Sequence, residues 1–374
     1  MDSTVYLNDF QAQWRSIRSA VLGAVDAVGK SGRLILGEKV NAFEEALAIQ
    51  TGVKHVVGCA SGLDAIETSL RVLGLKAGDR VLTTPLSAFA TTLAIVRAGG
   101  IPVFVDVGDA GLLDLEAAEE ILLDKSKPIR FLLPVHLFGH AIELKRLSAL
   151  KKRFGFHLVE DCAQAIGATS DSIPVGTVGE MSATSFYPTK NLGCLGDGGA
   201  IFTADQGLAA AARALRDYGQ ISKYVHAYLG MNSRLDEIQA AILLEALLPR
   251  LAAFTQRRRE IAKLYRENII SDALALPPAP AGSASVYHLF PVLVNNQRDR
   301  FREHLKSYGI ESAVHYPFII PEQPALQGAK FEVPNAMTNA RRFAEREVSL
   351  PIHPFLTDDG VERVIDACNR WEIR

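Results

Sequence analysis

The sequence predicts an α/β fold, with a large domain built on a mostly parallel sheet flanked by helices and a smaller α/β domain at its C-terminal end. Three observations carry this. From about residue 53, short β-rich runs alternate with helical patterns, and strand, loop, helix in repeated order is how a parallel sheet comes to be covered on both faces. The alternation gives way at residues 233–267 to a long helical pattern, interrupted at Pro249 and strongly basic after it, which reads as a bridge between domains. Beyond the loop LPPAPAGSAS a shorter set of strand and helix patterns begins. We therefore divide the chain into residues 1–255, including an N-terminal helix segment, and residues 256–374.

In chain order, VKHVVGCA, DRVLTTPL, IPVFVDV, IRFLLPVHLF, FHLVEDCA and GGAIFTA read as strands of the large domain. SGLDAIETSLRVLGL and IELKRLSALKKRF read as helices between them. In the small domain VYHLFPVLV is a strand, RDRFREHLKSYG a helix, ESAVHYP strand-like, and a last helix starts near residue 358.

Forty basic against 42 acidic residues leave a formal charge of -2, so no global field draws the chain to nucleic acid or to an anionic membrane. Any anionic ligand must be held by local geometry. Four dispersed cysteines without a CxxC pair read as buried free thiols, in keeping with a reducing compartment. MDSTVYLNDFQAQW lacks the basic-then-apolar pattern of a signal, and no apolar window reaches spanning length without a charge or a break, so a cytoplasmic protein is expected.

Three stretches could carry chemistry. In GCASGLDAIETSL a strand ends in small residues and a helix begins, so the backbone N–H groups of Gly62 and Leu63 could cradle an anion at the positive helix end, or Ser61 could simply cap the helix. In HLVEDCAQAIGA an apolar strand delivers Asp161 to its carboxyl end, where ligands bind in open parallel sheets, with Gln164 three residues on. Asp161 either stabilises a cationic ring nitrogen or caps a turn. Its neighbour Glu160 faces the other side and reads as structural. In SFYPTKNLGCLGDGGAIF, Lys190 lies between an apolar strand and a glycine cluster, five residues after Ser185. A lysine in a loop is usually a solvated surface group. An amine becomes nucleophilic near neutral pH only when desolvation or nearby positive charge lowers its pKa. An anion cradle, a strand-end carboxylate and such a lysine, in that order, are what pyridoxal 5'-phosphate needs for its phosphate, ring nitrogen and aldehyde.

With these residues the chain resembles the DegT/DnrJ/EryC1/StrS sugar aminotransferases, which have the fold type I architecture of aspartate aminotransferase. The matching runs are GRLILGEKVNAFEEALA, CASGLDAIETSL, PVHLFGH, EDCAQAIGA, SFYPTKNLGCLGDGGAIFT, RDYGQISKYVHAYLGMNSRLDEIQAA and GIESAVHYPFIIPEQPAL, in the family's order over residues 32 to 326. The resemblance implies that Lys190 bonds the cofactor aldehyde and shuttles protons, and that Asp161 pairs with the ring nitrogen. It implies that Gln164 contacts the ring, that Gly62, Leu63 and Ser185 hold the phosphate, and that Phe89 stacks on the ring, where a core aromatic is the plainer reading of Phe89. The family usually has Thr where this chain has Leu63, so a hydroxyl contact is lost there. Asn232 matches a residue that reaches the cofactor phosphate of a second subunit, implying a homodimer with shared sites, while read alone it caps the long helix. Lys223, Tyr224, His226 and Arg234 fall in the segment that helps bind the nucleotide-sugar, and His315 and Tyr316 look like substrate-pocket residues. No metal is implied.

One branch of the family has histidine at the lysine position and removes a hydroxyl; Lys190 points away from it. GDGG after the lysine resembles enzymes that aminate carbon 3 of dTDP-linked keto-6-deoxyhexoses, with glutamate the expected donor. A carbon 4 aminotransferase and a non-catalytic regulatory relative are the alternatives. A dinucleotide-binding oxidoreductase would show GxGxxG after the first strand, which VKHVVGCASGLDA lacks.

Overall fold

A computed structural model describes residues 4–372. Its centre is a seven-stranded sheet: β1 (His55–Cys59), β2 (Arg80–Thr83), β3 (Ile101–Phe104), β4 (Phe131–Leu133), β5 (His157–Asp161), β6 (Met181–Ser185) and β7 (Gly199–Thr203), in the order β1-β7-β6-β5-β4-β2-β3. β7 runs antiparallel to both of its neighbours and the other pairs are parallel. These strands are buried on nearly every residue, which explains why they read as continuous apolar runs and not as alternating ones. One face carries α3 (Gly62–Val72), α4 (Phe89–Arg97) and α7 (Gln206–Arg216), packed around Val57, Ile66, Ile95, Phe131 and Ile201. The other face holds a larger core containing Phe104, Phe138, Leu147 and Leu158.

The N-terminal helices α1 (Phe10–Ser31) and α2 (Glu38–Thr51) pack on the bridging helix, which begins as α8 (Glu237–Ile242) and resumes as α9 (Leu251–Asn268). Between them a widened turn, Leu243–Leu247, and a 3-10 turn, Leu248–Arg250, absorb Pro249, which has no N–H to give and would clash with the carbonyl one turn back. By length and composition the whole stretch Glu237–Asn268 could cross a membrane, but Glu245, Pro249 and Arg250 interrupt it with charges and a break, and half of its apolar window is buried inside the protein. Glu237 supplies what α2 lacks. Gly37 precedes α2 without a capping side chain, and the Glu237 carboxylate accepts the N–H groups of Gly37, Lys39 and Val40 at 2.9, 2.5 and 3.2 Å.

A second sheet joins β8 (Leu274–Ala275), β9 (Phe290–Val294) and β10 (Glu347–Leu350), all antiparallel, under α9, α10 (Arg298–Ser307) and α12 (Asp358–Asn369). α9 runs unbroken through residue 255. Val5 packs into this second core, whereas Ile319, Leu326, Met337 and Phe343 pack into the large-sheet core. We propose that the division near residue 255 separates two units that exchange these segments. ESAVHYP does not form the expected strand: Ala313 makes a single bridge to Ser349, after which the chain turns away into the large core. All four cysteines are buried free thiols.

α2, β1 and α7 are tied by one ion pair. Arg216 Nη1 lies 2.6 Å from Glu44 Oε1 and 2.6 Å from the Gly58 carbonyl, and Gly58 N–H donates to the same Glu44 oxygen at 2.8 Å. Both side chains are only 6% exposed. Arg216→Met leaves Glu44 buried with less compensation and is expected to cost about 3 kcal/mol, read as a lower urea midpoint.

Candidate active site

The carboxyl ends of β1, β5 and β6 meet the start of β7 at one edge of the sheet. Gly199 pairs with Cys59 on one side and Ser185 on the other. The packing leaves no room for side chains here. A Cβ on Gly199 would sit 2.4 Å from the Ser61 carbonyl carbon, and one on Gly62 would sit 2.7 Å from Ser185 Cβ. Ser61 does cap α3, accepting the Asp64 N–H at 3.1 Å. That cap uses the third N–H and leaves those of Gly62 and Leu63, at the positive helix end, aimed outward beside the half-buried Ser185. Both readings of this turn therefore hold together. Gly62→Ala must displace Ser185, and a cost of about 1–3 kcal/mol is expected in cofactor affinity, measured by absorption titration.

Asp161 ends β5 and is 4% exposed. Its Oδ2 accepts the hydroxyl of Thr91 at 2.9 Å and its Oδ1 accepts Ala163 N–H at 3.0 Å. Burial raises its pKa, and these two bonds and the Lys190 charge act the other way. α4 that supplies Thr91 also carries Phe89 on its first turn, half-buried and packed against the large core. Glu160 is structural, as its strand position predicts. It accepts from His136 Nε2 (3.0 Å) and from the N–H groups of Gly176, Val178 and Gly179. His136 Nδ1 takes the Ile142 N–H, so although His136, Glu160 and Cys162 cluster, the ring nitrogens and carboxylate oxygens are committed to protein groups.

Lys190 follows the turn after β6, its N–H bonded to the Tyr187 carbonyl. It keeps a face open but is otherwise crowded by protein, and desolvation lowers its pKa to about 8, opposed by the Asp161 charge. Its neighbour Asn191 is clamped by residues nearly a hundred positions on, giving Nδ2–H to the Val286 carbonyl and facing His288 Nδ1 at 3.1 Å. Gln164 accepts Phe138 N–H at 2.7 Å and donates to the Tyr316 hydroxyl at 3.1 Å, so the VHYP segment reaches the site through Tyr316.

The other expected residues lie on the segment after α7, whose Ser233 accepts the Ala60 N–H at 3.1 Å and donates to Asp64 at 2.8 Å. Lys223, Tyr224 and His226 lie on an exposed hairpin, Gln220–Ser222 against Val225–His226, together with the apolar Ile221, Tyr228 and Leu229. Arg234 is held by Asp217 at 3.0 Å and lies over the Tyr218 ring. Asn232 is exposed and does not cap the long helix, which starts at Glu237 with Asp236 before it. Thr91, Asn191 and His288 escaped the sequence reading. Thr91 falls two residues after Phe89, and that spacing was the available signal.

A profile of the DegT/DnrJ/EryC1/StrS aminotransferase family matches residues 15–369. The chain belongs to this family. It is similar to the UDP-N-acetyl-3-dehydro-alpha-D-glucosamine 3-aminotransferase of Acidithiobacillus ferrooxidans, at 38% identity over 99% of this chain and 98% of that one. It is likewise 38% identical to the dTDP-3-amino-3,4,6-trideoxy-alpha-D-glucose transaminase of Streptomyces venezuelae, over 98% and 96%. Among solved structures, S. venezuelae DesV in complex with a ketimine intermediate superposes with a TM-score of 0.92, at 38% identity and 97% coverage of both chains. The protein is thus a fold type I, pyridoxal-phosphate-dependent sugar aminotransferase. Its own residues suit that cofactor: a crowded glycine turn at a helix N-terminus, a buried strand-end carboxylate, and a lysine with a lowered pKa feeling that carboxylate's charge.

Proposed function

We propose that the enzyme moves an amino group from glutamate to the carbon 3 keto group of a dTDP-linked keto-6-deoxyhexose. The observation that carries the reading is Lys190, whose desolvation holds its amine near neutral deprotonation beside the buried Asp161. Bound pyridoxal phosphate supplies an aldehyde that accepts the amine and a ring that withdraws electrons. Lys190 would be the nucleophile toward that aldehyde and the base and acid that moves protons between carbons. Asp161, oriented by Thr91, would pair with the ring nitrogen and keep a proton on it. Gly62, Leu63 and Ser185 would hold the phosphate, and Phe89, Gln164 and Tyr316 would contact the ring.

The relatives that aminate carbon 3 support the regiochemistry, with both UDP and dTDP carriers represented among their names. The exposed hairpin with Lys223, Tyr224 and His226 and the exposed Asn232 suit a homodimer in which each subunit completes the other's site. The test is a two-step mixing experiment. Glutamate should bleach the visible band of the holoenzyme, and a dTDP-linked 3-keto-6-deoxysugar should restore it. Restoration by a 4-keto sugar alone overturns the carbon 3 assignment, and restoration by a UDP-linked 3-keto sugar alone overturns the carrier.

A further inference from the structure

His315 is gripped by two buried groups that none of the sequence motifs singled out. Its Nδ1 lies 2.9 Å from Ser349 Oγ, and Ser349 Oγ lies 2.5 Å from Glu347 Oε1. The other carboxyl oxygen, Oε2, accepts the backbone N–H of His315 at 2.5 Å. Glu347 and Ser349 alternate on β10, so they present to the same face, and both are fully buried. Among the described residues Nε2 has no hydrogen-bond partner. The ring lines a small cavity with Thr189 and His288, next along the chain from Lys190, whose charge it feels.

We propose that Glu347, Ser349 and His315 form a proton relay ending at Nε2, so that His315 exchanges a proton with substrate in the Lys190 pocket without passing through an imidazolium. A hydroxyl has one hydrogen, so the chain has two consistent settings. With Glu347 protonated, its O–H donates to Ser349, Ser349 donates to Nδ1, and the ring proton is on Nε2, the ring nitrogen left without a protein partner. When Nε2 releases that proton, the Ser349 proton moves to Nδ1 and the Glu347 proton moves to Ser349. Glu347 is left ionised and the ring is neutral with Nδ1–H. The reverse recovers a proton from the pocket.

The surroundings favour a neutral ring in both settings. Burial pushes Glu347 up to about 8 and His315 down to about 4. The charged or titratable groups facing them are Arg298 and Arg302 on α10, which favour the Glu347 anion, Tyr316 beside it, and Lys190 and His288 toward the ring. Glu347 and Ser349 are positioning residues acting through His315. The role in sugar amination rests on the function proposed above, whereas the relay itself does not.

The test uses holoenzyme with ring-¹⁵N histidine, the His315 signals being identified by their loss in His315→Gln. In the parent protein the two ring-nitrogen signals are expected to exchange places as pH rises through the Glu347 titration, with no doubly protonated ring between. Glu347→Gln puts an amide donor against Ser349 and should hold Nε2–H at every pH above the ring's own titration, with kcat lowered on the order of 10²-fold and KM little changed. Ser349→Thr should behave as parent and Ser349→Ala should lose the exchange; this pair carries the test if Glu347→Gln does not fold. Identical tautomer profiles in parent and Glu347→Gln, or in Ser349→Thr and Ser349→Ala, overturn the relay. An intact exchange in an enzyme that ignores keto sugars would instead overturn the function and leave the relay standing.

Discussion

Lys190→Ala is expected to keep the parent unfolding midpoint and to lose amino transfer by about 10⁴-fold or more, because in the proposed mechanism one side chain is both nucleophile and proton shuttle. Its surroundings tolerate the truncation: the backbone N–H stays bonded to Tyr187, and Asn191 remains clamped by Val286 and His288. The visible band of the loaded protein should vanish with the activity. Lys190→Arg restores the charge but not a deprotonable amine and should stay inactive. Parent-like turnover in either variant would remove Lys190 from the chemistry.

Asp161→Asn should lower kcat by roughly 10²–10³-fold, the scale on which loss of a preorganised charge usually acts. Asparagine keeps the shape and can keep the Thr91 and Ala163 bonds, so the fold is expected to persist. A second effect has a definite sign. The Asp161 charge raises the Lys190 pKa against desolvation, so without it that pKa falls below about 8. Capture of pyridoxal phosphate by the cofactor-free variant should begin at lower pH than in the parent. A shift to higher pH would mean that Asp161 does not act on Lys190 through its charge.

The parallel strands and Lys190 were legible because each leaves a local trace: long apolar runs between helical patterns, and a lysine among glycines where a surface lysine would need none. Glu160 could be set apart from Asp161 by strand alternation alone. What stayed hidden depends on partners far along the chain. Glu237 caps a helix some 200 positions earlier, and nothing near it announces this. Nothing in the sequence reading marked Glu347 or Ser349, which matter only because the turn after Ala313 brings His315 beside them. VHYP has the composition of a strand, but only the Ala313 bridge forms, because Tyr316 is drawn to Gln164 and Ile319 into the large core. Asn232 misled for a related reason: a capping residue type sits near a helix start, yet Asp236 is nearer.

The placement of β7 also governs when the pocket can exist as the chain is made. β1 emerges early but has no sheet neighbour until Gly199–Thr203 has been synthesised and has slid between it and β6. Until then β1 is an unpaired apolar edge, a template for wrong partners. A chain released just short of Gly199 would already contain the carboxylate and the lysine, but not the strand that fastens the Ser61–Gly62 turn to Ser185. Capture of pyridoxal phosphate thus requires at least a closed sheet, and nascent chains should not acquire the cofactor before Thr203 clears the ribosome.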